Sequence, residues 1–228
     1  MKQVSKIYYI NLDKSADRKE FMENHLSDID IPYERFSGIE VEEEDLQGKY
    51  ESFYNRFALR DEKNFMRTEN PRKTMLGYLG NYLAHYFVQK KAFESDHGNY
   101  LVLEDDWSVN NECIDEIEKV FKQGLVNWDW DIFGSFWSSH KDIVIKHTGI
   151  AGRSRFHNNR HCAPLGGTHF MLYNKRSTQK IINFLDCEYV ASIDGVLKND
   201  MLNIYHKKMP IQQGGFKSCI REMKDEFK

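Results

Sequence analysis

No two cysteines in this chain stand close enough to make a C-x-x-C pair. The four present, Cys113, Cys162, Cys187 and Cys219, are far apart. They suggest neither a zinc ribbon nor a dense disulfide scaffold, and free thiols in a reducing compartment are the simple expectation. A basic excess is also lacking: Lys+Arg number 32 against 35 Asp+Glu, for a formal net charge of −3. Nucleic acid is therefore not expected as a partner. No apolar run is long enough to span a bilayer, and the opening MKQVSKIYYINLDKS carries no signal-peptide core. These absences predict a cytoplasmic location (host cytoplasm or virion if the source is a virus). At most, the mixed-charge tail at 216–228 makes a peripheral membrane contact. Internal repeats, low-complexity tracts, Gly-rich phosphate loops and Walker patterns are missing as well.

What is present is an ordinary globular composition. Hydrophobic residues make up 40% and charged residues 29% of 228 positions, which suits a single domain over 1–228 with a core of its own. Aromatics reach 14%; most fill the core, though a flat ring also matches the apolar face of a pyranose. The run at 6–12 is nearly all apolar, as in a parallel strand covered on both faces. A helix capped near Asp13 or Ser15 follows, with Phe21, Met22, His25 and Leu26 at helical spacing. Leu76, Leu79, Leu83 and Phe87 mark one face of a helix over 74–94, capped at Thr74. Gly77 and Gly80 inside it cost about 1 kcal/mol each against Ala, which points to close backbone packing or, less simply, a nearby ligand. Further strands are predicted at 99–103, 131–137, 167–173 and 202–205, with helices at 112–123 (stopped by Gly124) and 175–185. The stretch 40–72 has few strand signals; some helix around 45–57 is expected there, as an insert or lid. Strands alternating with helices predict an α/β fold with a mainly parallel central sheet flanked by helices.

The sharpest local feature is YLVLEDDW, in which four apolar residues run straight into Glu104, Asp105 and Asp106. Open α/β sheets bind ligands beyond the carboxyl ends of their strands. Three crowded carboxylates repel one another and are best tolerated beside a hard cation such as Mg²⁺ or Mn²⁺, which could bridge a diphosphate. A solvated acidic turn is the competing reading; the buried strand before it favours a site. The second D-x-D, Asp129 and Asp131, more simply precedes a strand. Asp194 is a lone carboxylate, commoner as a cap or turn residue than as a base. His140, His147, His157 and His161 match no zinc-ligand spacing, and His85 on its helix reads as a structural histidine.

Several segments stand in a telling order: YYINLDKSADRKEFM, LGYLGNYLAH, NYLVLEDDW, DWDIFG, GTHFMLYNK, SIDGVL and MPIQQGGFKSCI. Together they resemble glycosyltransferase family 25, which includes lipooligosaccharide and collagen hydroxylysine galactosyltransferases. Asn11, Leu12 and Arg18, then Gly77, Gly80, Leu83 and His85, occupy the matching places. The departures are Ala84 where Ser is usual, Phe170-Met171 where Ala-Tyr is common, and Cys219 where Asp often follows Ser218. The stretch 40–72 has no evident counterpart. The resemblance implies a GT-A-like fold, a UDP-sugar co-substrate, a divalent metal (Mn²⁺ or Mg²⁺) and inverting transfer of galactose or glucose to a glycan or protein hydroxyl, as in lipopolysaccharide biosynthesis. On that reading Glu104 or Asp105 faces the ribose and Asp106 holds the metal on the diphosphate. Asn11, Leu12 and Arg18 line the nucleotide, with Gly80 and His85 on the donor side. An inverting transferase needs a base for the acceptor hydroxyl, for which Asp194 is preferred. His206 is an additional metal-ligand candidate; a surface histidine beside two lysines is its plainer reading.

Two other functions fit the same residues. One is a non-catalytic nucleotide-sugar or glycan-binding module on this fold. The other, ranked last for want of a phosphate loop, is a metal-dependent hydrolase or nucleotidyltransferase.

Overall fold

The computed structural model describes residues 3–58, 60–124, 129–135, 152–153, 168–186, 190, 192–197, 202–207 and 209–216. Its strands are β1 (Lys6–Asn11), β2 (Tyr33–Ser37), β3 (Tyr100–Glu104), β4 (Trp107–Ser108), β5 (Ile132–Gly134), β6 (Gly152–Arg153), β7 (Phe170–Tyr173), β8 (Ile204–His206) and β9 (Gln212–Gln213). Its helices are α1 (Ala16–Leu26), α2 (Glu51–Arg56), α3 (Pro71–Glu94), α4 (Asn111–Lys122), α5 (Thr178–Leu185) and α6 (Ile193–Leu197).

The central sheet has the order β2-β1-β3-β7-β5-β8-β6. β2, β1, β3, β5 and β8 run one way, and β7 and β6 run against them. The expected α/β fold, mainly parallel and flanked by helices, is therefore present. β4 and β9 form a separate two-stranded ribbon.

Each central strand feeds two cores, because successive side chains point to opposite faces. Tyr8 and Ile10 of β1, Tyr100 and Val102 of β3, and Met171 and Tyr173 of β7 join α3, α5 and α6 on one face. Ile7 and Tyr9, Leu101 and Leu103, and Phe170 and Leu172 join α1 and α4 on the other. Burial on both faces is why these strands read as continuous apolar runs rather than as alternating ones.

α3 begins three residues before the expected start. Its N-cap is Asn70, whose side chain accepts from the Lys73 N–H, with Pro71 in the first turn. Thr74, expected as the cap, is instead buried and donates to Thr68 Oγ1. α1 starts behind Ser15, which makes no side-chain cap bond. β2 was not anticipated. YERFS is an edge strand with no fully buried residue, so it lacks the apolar run that marks the inner strands.

The stretch 40–72 holds short 3-10 turns at Glu43–Gln47 and Glu62–Phe65 around α2, in line with the helix expected there. Val41, Leu46, Tyr50, Phe57 and Phe65 from this stretch join the α3-side core. Gly124 ends α4 with φ 134, as its place after the helix suggests. Of the strand predicted over 131–137, residues 132–134 are extended and 136–137 lie outside the described residues. His140, His147, His157 and His161 lie outside them too.

Candidate functional site

β3 ends at Glu104, and Asp105 and Asp106 form the turn that leads into β4. The three carboxylates therefore leave the buried centre of the sheet at its carboxyl edge. Each meets a different environment.

Glu104 Oε1 accepts from Thr168 Oγ1 at 2.6 Å and from Asn81 Nδ2 at 3.3 Å, and His85 Nε2 stands 3.4 Å away. Burial pushes this carboxyl upward, but the His85 hydrogen bond and charge, with the Thr168 bond, outweigh it and hold Glu104 down at about 2. Asp105 is 8% exposed. Its Oδ1 takes the Arg18 Nη1 at 2.6 Å and its Oδ2 takes the Asn11 Nδ2 at 2.8 Å. Both oxygens are thus engaged by protein.

Asp106 differs from its neighbours. Among the described residues no side chain bonds its carboxylate, and its own backbone N–H is the local support. Burial and the charges of Glu104 and Asp105, opposed by Arg18, raise it to about 6. Its backbone carbonyl accepts from Gly214 N at 2.8 Å. β9, just before that glycine, pairs with β4, so Trp107 sits opposite Gln213. Trp107 also stacks on His169, with centroids 4.5 Å apart.

These carboxylates close one end of a cavity of about 510 Å³, within the range that holds small ligands. Leu12 and Arg18 line it from the β1–α1 junction, Gly38 to Glu43 from the segment after β2, and Arg72, Gly77, Gly80, Asn81 and Ala84 from α3. Lys14 pairs with Glu40, and Arg72 with Glu43, across its outer rim.

The structure gathers most of the sequence-predicted donor residues here. Leu12, Arg18, Gly80, Glu104 and Asp105 line the cavity together with Asp106. Asn11 and His85 lie behind the wall. Asn11 is 1% exposed, and its amide donates to Asp105 Oδ2 and to the Ser15 carbonyl while accepting from Arg35 Nε. His85 is wholly buried, with Nδ1 unpartnered among the described residues. Gly80 owes its place to packing: a β-carbon there would meet the Ile39 carbonyl oxygen at 2.2 Å.

Asp194 is not brought to this wall; it lies half-buried on the short α6, which packs on α3. His206 ends β8, with its backbone registered between Gly134 and Gly152; its side chain lies outside the described residues. The second D-x-D is structural. Asp131 is 1% exposed and accepts from the Asn203 N–H and from Lys180, and Asp129 accepts from Asn203 Nδ2.

Among the described residues no cluster of three His, Cys, Asp or Glu side chains is arranged as a metal cage. Mg²⁺ and Mn²⁺ do not require one, since one or two carboxylates plus substrate phosphate oxygens and waters suffice. An Asp106 carboxylate that no side chain bonds among the described residues, beside the cavity, fits that mode of binding.

The sequence assigns no individual role to Thr168, Asn81, Gly214 or Phe216, although each lies in one of the segments quoted above, and none to Arg35, which lies outside them. A threonine beside the β7 run and a Gly-Gly before an aromatic were the available signals, but neither names its partner.

A family model described as "Glycosyltransferase family 25 (LPS biosynthesis protein)" matches residues 4–165. No curated protein matches the chain. Among solved structures, one similar chain is described as a glycosyltransferase involved in the glycosylation of the major capsid of PBCV-1. It superposes with a TM-score of 0.41 at 10% identity, over 80% of this chain and 66% of that one. Another is S. aureus TarS 1-349, with a TM-score of 0.41 at 11% identity, over 89% of this chain and 57% of that one. The chain thus spans just under two thirds of the length of the first and little more than half of the second.

Proposed function

Because the chain belongs to glycosyltransferase family 25, we propose that it moves galactose or glucose from a UDP-sugar to a hydroxyl of a glycan or protein, with a divalent cation and inversion. The observation that carries this reading is the unequal state of three adjacent carboxylates at the mouth of a ligand-sized cavity. Glu104 and Asp105 are held by neighbouring side chains, and the Asp106 carboxylate is bonded by no side chain among the described residues.

On this reading Asp106 would hold Mn²⁺ or Mg²⁺ at the donor site. Such a cation supplies charge stabilisation for the departing UDP. The chain's own residues do the rest. Leu12 and the backbone after β2 form the wall against which the nucleoside lies. Arg18 neutralises Asp105, so a dianionic donor meets less repulsion at the acidic end. Glu104 orders Asn81 and Thr168 and keeps the end of β3 in place. We assign acceptor deprotonation to Asp194 and a further contact with the cation to His206, the roles that the family resemblance suggests. No helix among the described residues is long and apolar enough to cross a membrane.

The test is UDP release from a panel of UDP-sugars by the purified protein, with and without Mn²⁺. Slow donor hydrolysis that needs Mn²⁺ and vanishes in Asp106→Ala supports the reading. Full activity in that variant, or in excess chelator, removes the metal assignment. Tight UDP binding without turnover across a broad acceptor panel favours a binding module instead.

A further inference from the structure

The strap at 209–216 crosses the acidic turn from the far end of the chain. β9 pairs with β4 immediately after Asp106, and the Gly214 N–H donates to the Asp106 carbonyl at 2.8 Å. The strap then doubles back. Gly215 takes φ +71, a backbone conformation that favours glycine, and a β-carbon on Gly214 would lie 2.4 Å from the Phe216 ring, so the ring keeps its position only because Gly214 has none. The fold-back sets Phe216 edge-on to Phe21, with centroids 5.5 Å apart at 81°. It also brings the Phe216 ring centroid within 5.2 Å of the Arg18 guanidinium carbon. That guanidinium is the one bonded to Asp105. Phe216 itself is not on the cavity wall.

We propose that Phe216 is a positioning residue for glycosyl transfer: its ring confines the Arg18 guanidinium to Asp105 and so keeps Asp106 available to the cation and diphosphate. This rests on the role given to Asp106 above. A guanidinium carries five donors on a long, rotatable stem, and two adjacent carboxylates compete for it. The ring face restricts its plane and adds cation–π attraction. Without the ring, Arg18 divides itself between Asp105 and Asp106 and masks the carboxylate that the cation requires. Gly214 and β9 complete the device by fixing the backbone of the same turn.

The experiment compares Phe216→Ala, Phe216→Leu and Phe216→Tyr. Donor hydrolysis is followed across a Mn²⁺ titration, and calorimetry measures Mn²⁺ and UDP binding. The expected result is an increase of about 3- to 30-fold in the Mn²⁺ concentration for half-maximal activity in Phe216→Ala. Phe216→Leu, which fills the volume without a π face, stays impaired, and Phe216→Tyr returns to the wild-type value. Wild-type Mn²⁺ dependence in Phe216→Leu overturns the proposal, even if Phe216→Ala fails to fold. A wild type that binds UDP and Mn²⁺ but never turns over removes the transferase reading, while the Mn²⁺ binding series still decides the role of Phe216. A wild type indifferent to Mn²⁺ in both assays overturns the proposal together with the role of Asp106.

Discussion

Gly80 on α3 faces the carbonyl oxygen of Ile39 so closely that a β-carbon would sit 2.2 Å from it. The segment after β2 is thereby laid directly on the helix, and both line the cavity. Gly80→Ala must displace backbone rather than a flexible side-chain end. It is expected to lower stability by about 1–3 kcal/mol and to raise the donor KM more than it lowers kcat. Urea unfolding and donor kinetics check the two effects, and a variant as stable as wild type would refute the tight contact.

The Arg18–Asp105 pair has side chains only 7% and 12% exposed. Removing one partner leaves the other charged and buried, at a cost of about 3–5 kcal/mol. Arg18→Met and Asp105→Asn are each expected to destabilise by roughly that amount. The double variant should lose less than the sum of the two. A double-mutant cycle by chemical denaturation measures this coupling.

Asp106 gives a pH signature of the opposite sign. Its folded-state value of about 6 stands above the ordinary 3.8, so between these values the folded protein binds the extra proton. Stability is then lost as pH rises through the window. In chelator, Asp106→Asn is expected to be the more stable protein above pH 6, by about 1 kcal/mol after allowance for solvent screening, with the gap closing toward pH 4. Mn²⁺ affinity of the wild type should fall as pH drops through about 6. Melting curves and Mn²⁺ titrations at pH 4 to 8 test both halves.

Glu104 titrates the other way. Its folded value of about 2 lies below the ordinary 4.5, so its stabilisation is complete above the ordinary value and is lost as pH falls toward 2. Thr168→Val removes one hydrogen bond to this charged group and is expected to cost about 1.5–3 kcal/mol at pH 7. The penalty should shrink in acid. Equal destabilisation at pH 7 and at pH 2, where Glu104 is half protonated in the folded protein, would exclude the Thr168–Glu104 bond as its source.

If Asp194 is the base, Asp194→Asn should reduce transfer to an acceptor by about 100-fold or more and leave UDP binding intact. An unchanged kcat places the base elsewhere.

Much of the architecture was legible from residue patterns. The continuous apolar runs at 6–12 and 99–103 announced inner strands because both of their faces are buried, one in each core. β2 escaped notice because an edge strand with no fully buried residue leaves no such mark. The α3 start was misplaced because Thr74 and Asn70 are both good cap types, and only the Lys73 N–H distinguishes them. The acidic run was visible from its strand, but as three equivalent carboxylates.

The sequence by itself determined that three carboxylates leave the sheet at the end of an inner strand, since four apolar residues demand burial up to that point. It could not say which carboxylate stays open. That was decided by residues distant along the chain: Asn11 and Arg18 on Asp105, and Asn81, His85 and Thr168 on Glu104, with the Gly214 N–H on the backbone of Asp106. Hydrogen bonds and ion pairs act over a few ångströms of space whatever the separation in sequence, so the division of roles among three neighbouring residues exists only once the sheet, α3 and the C-terminal strap have come together.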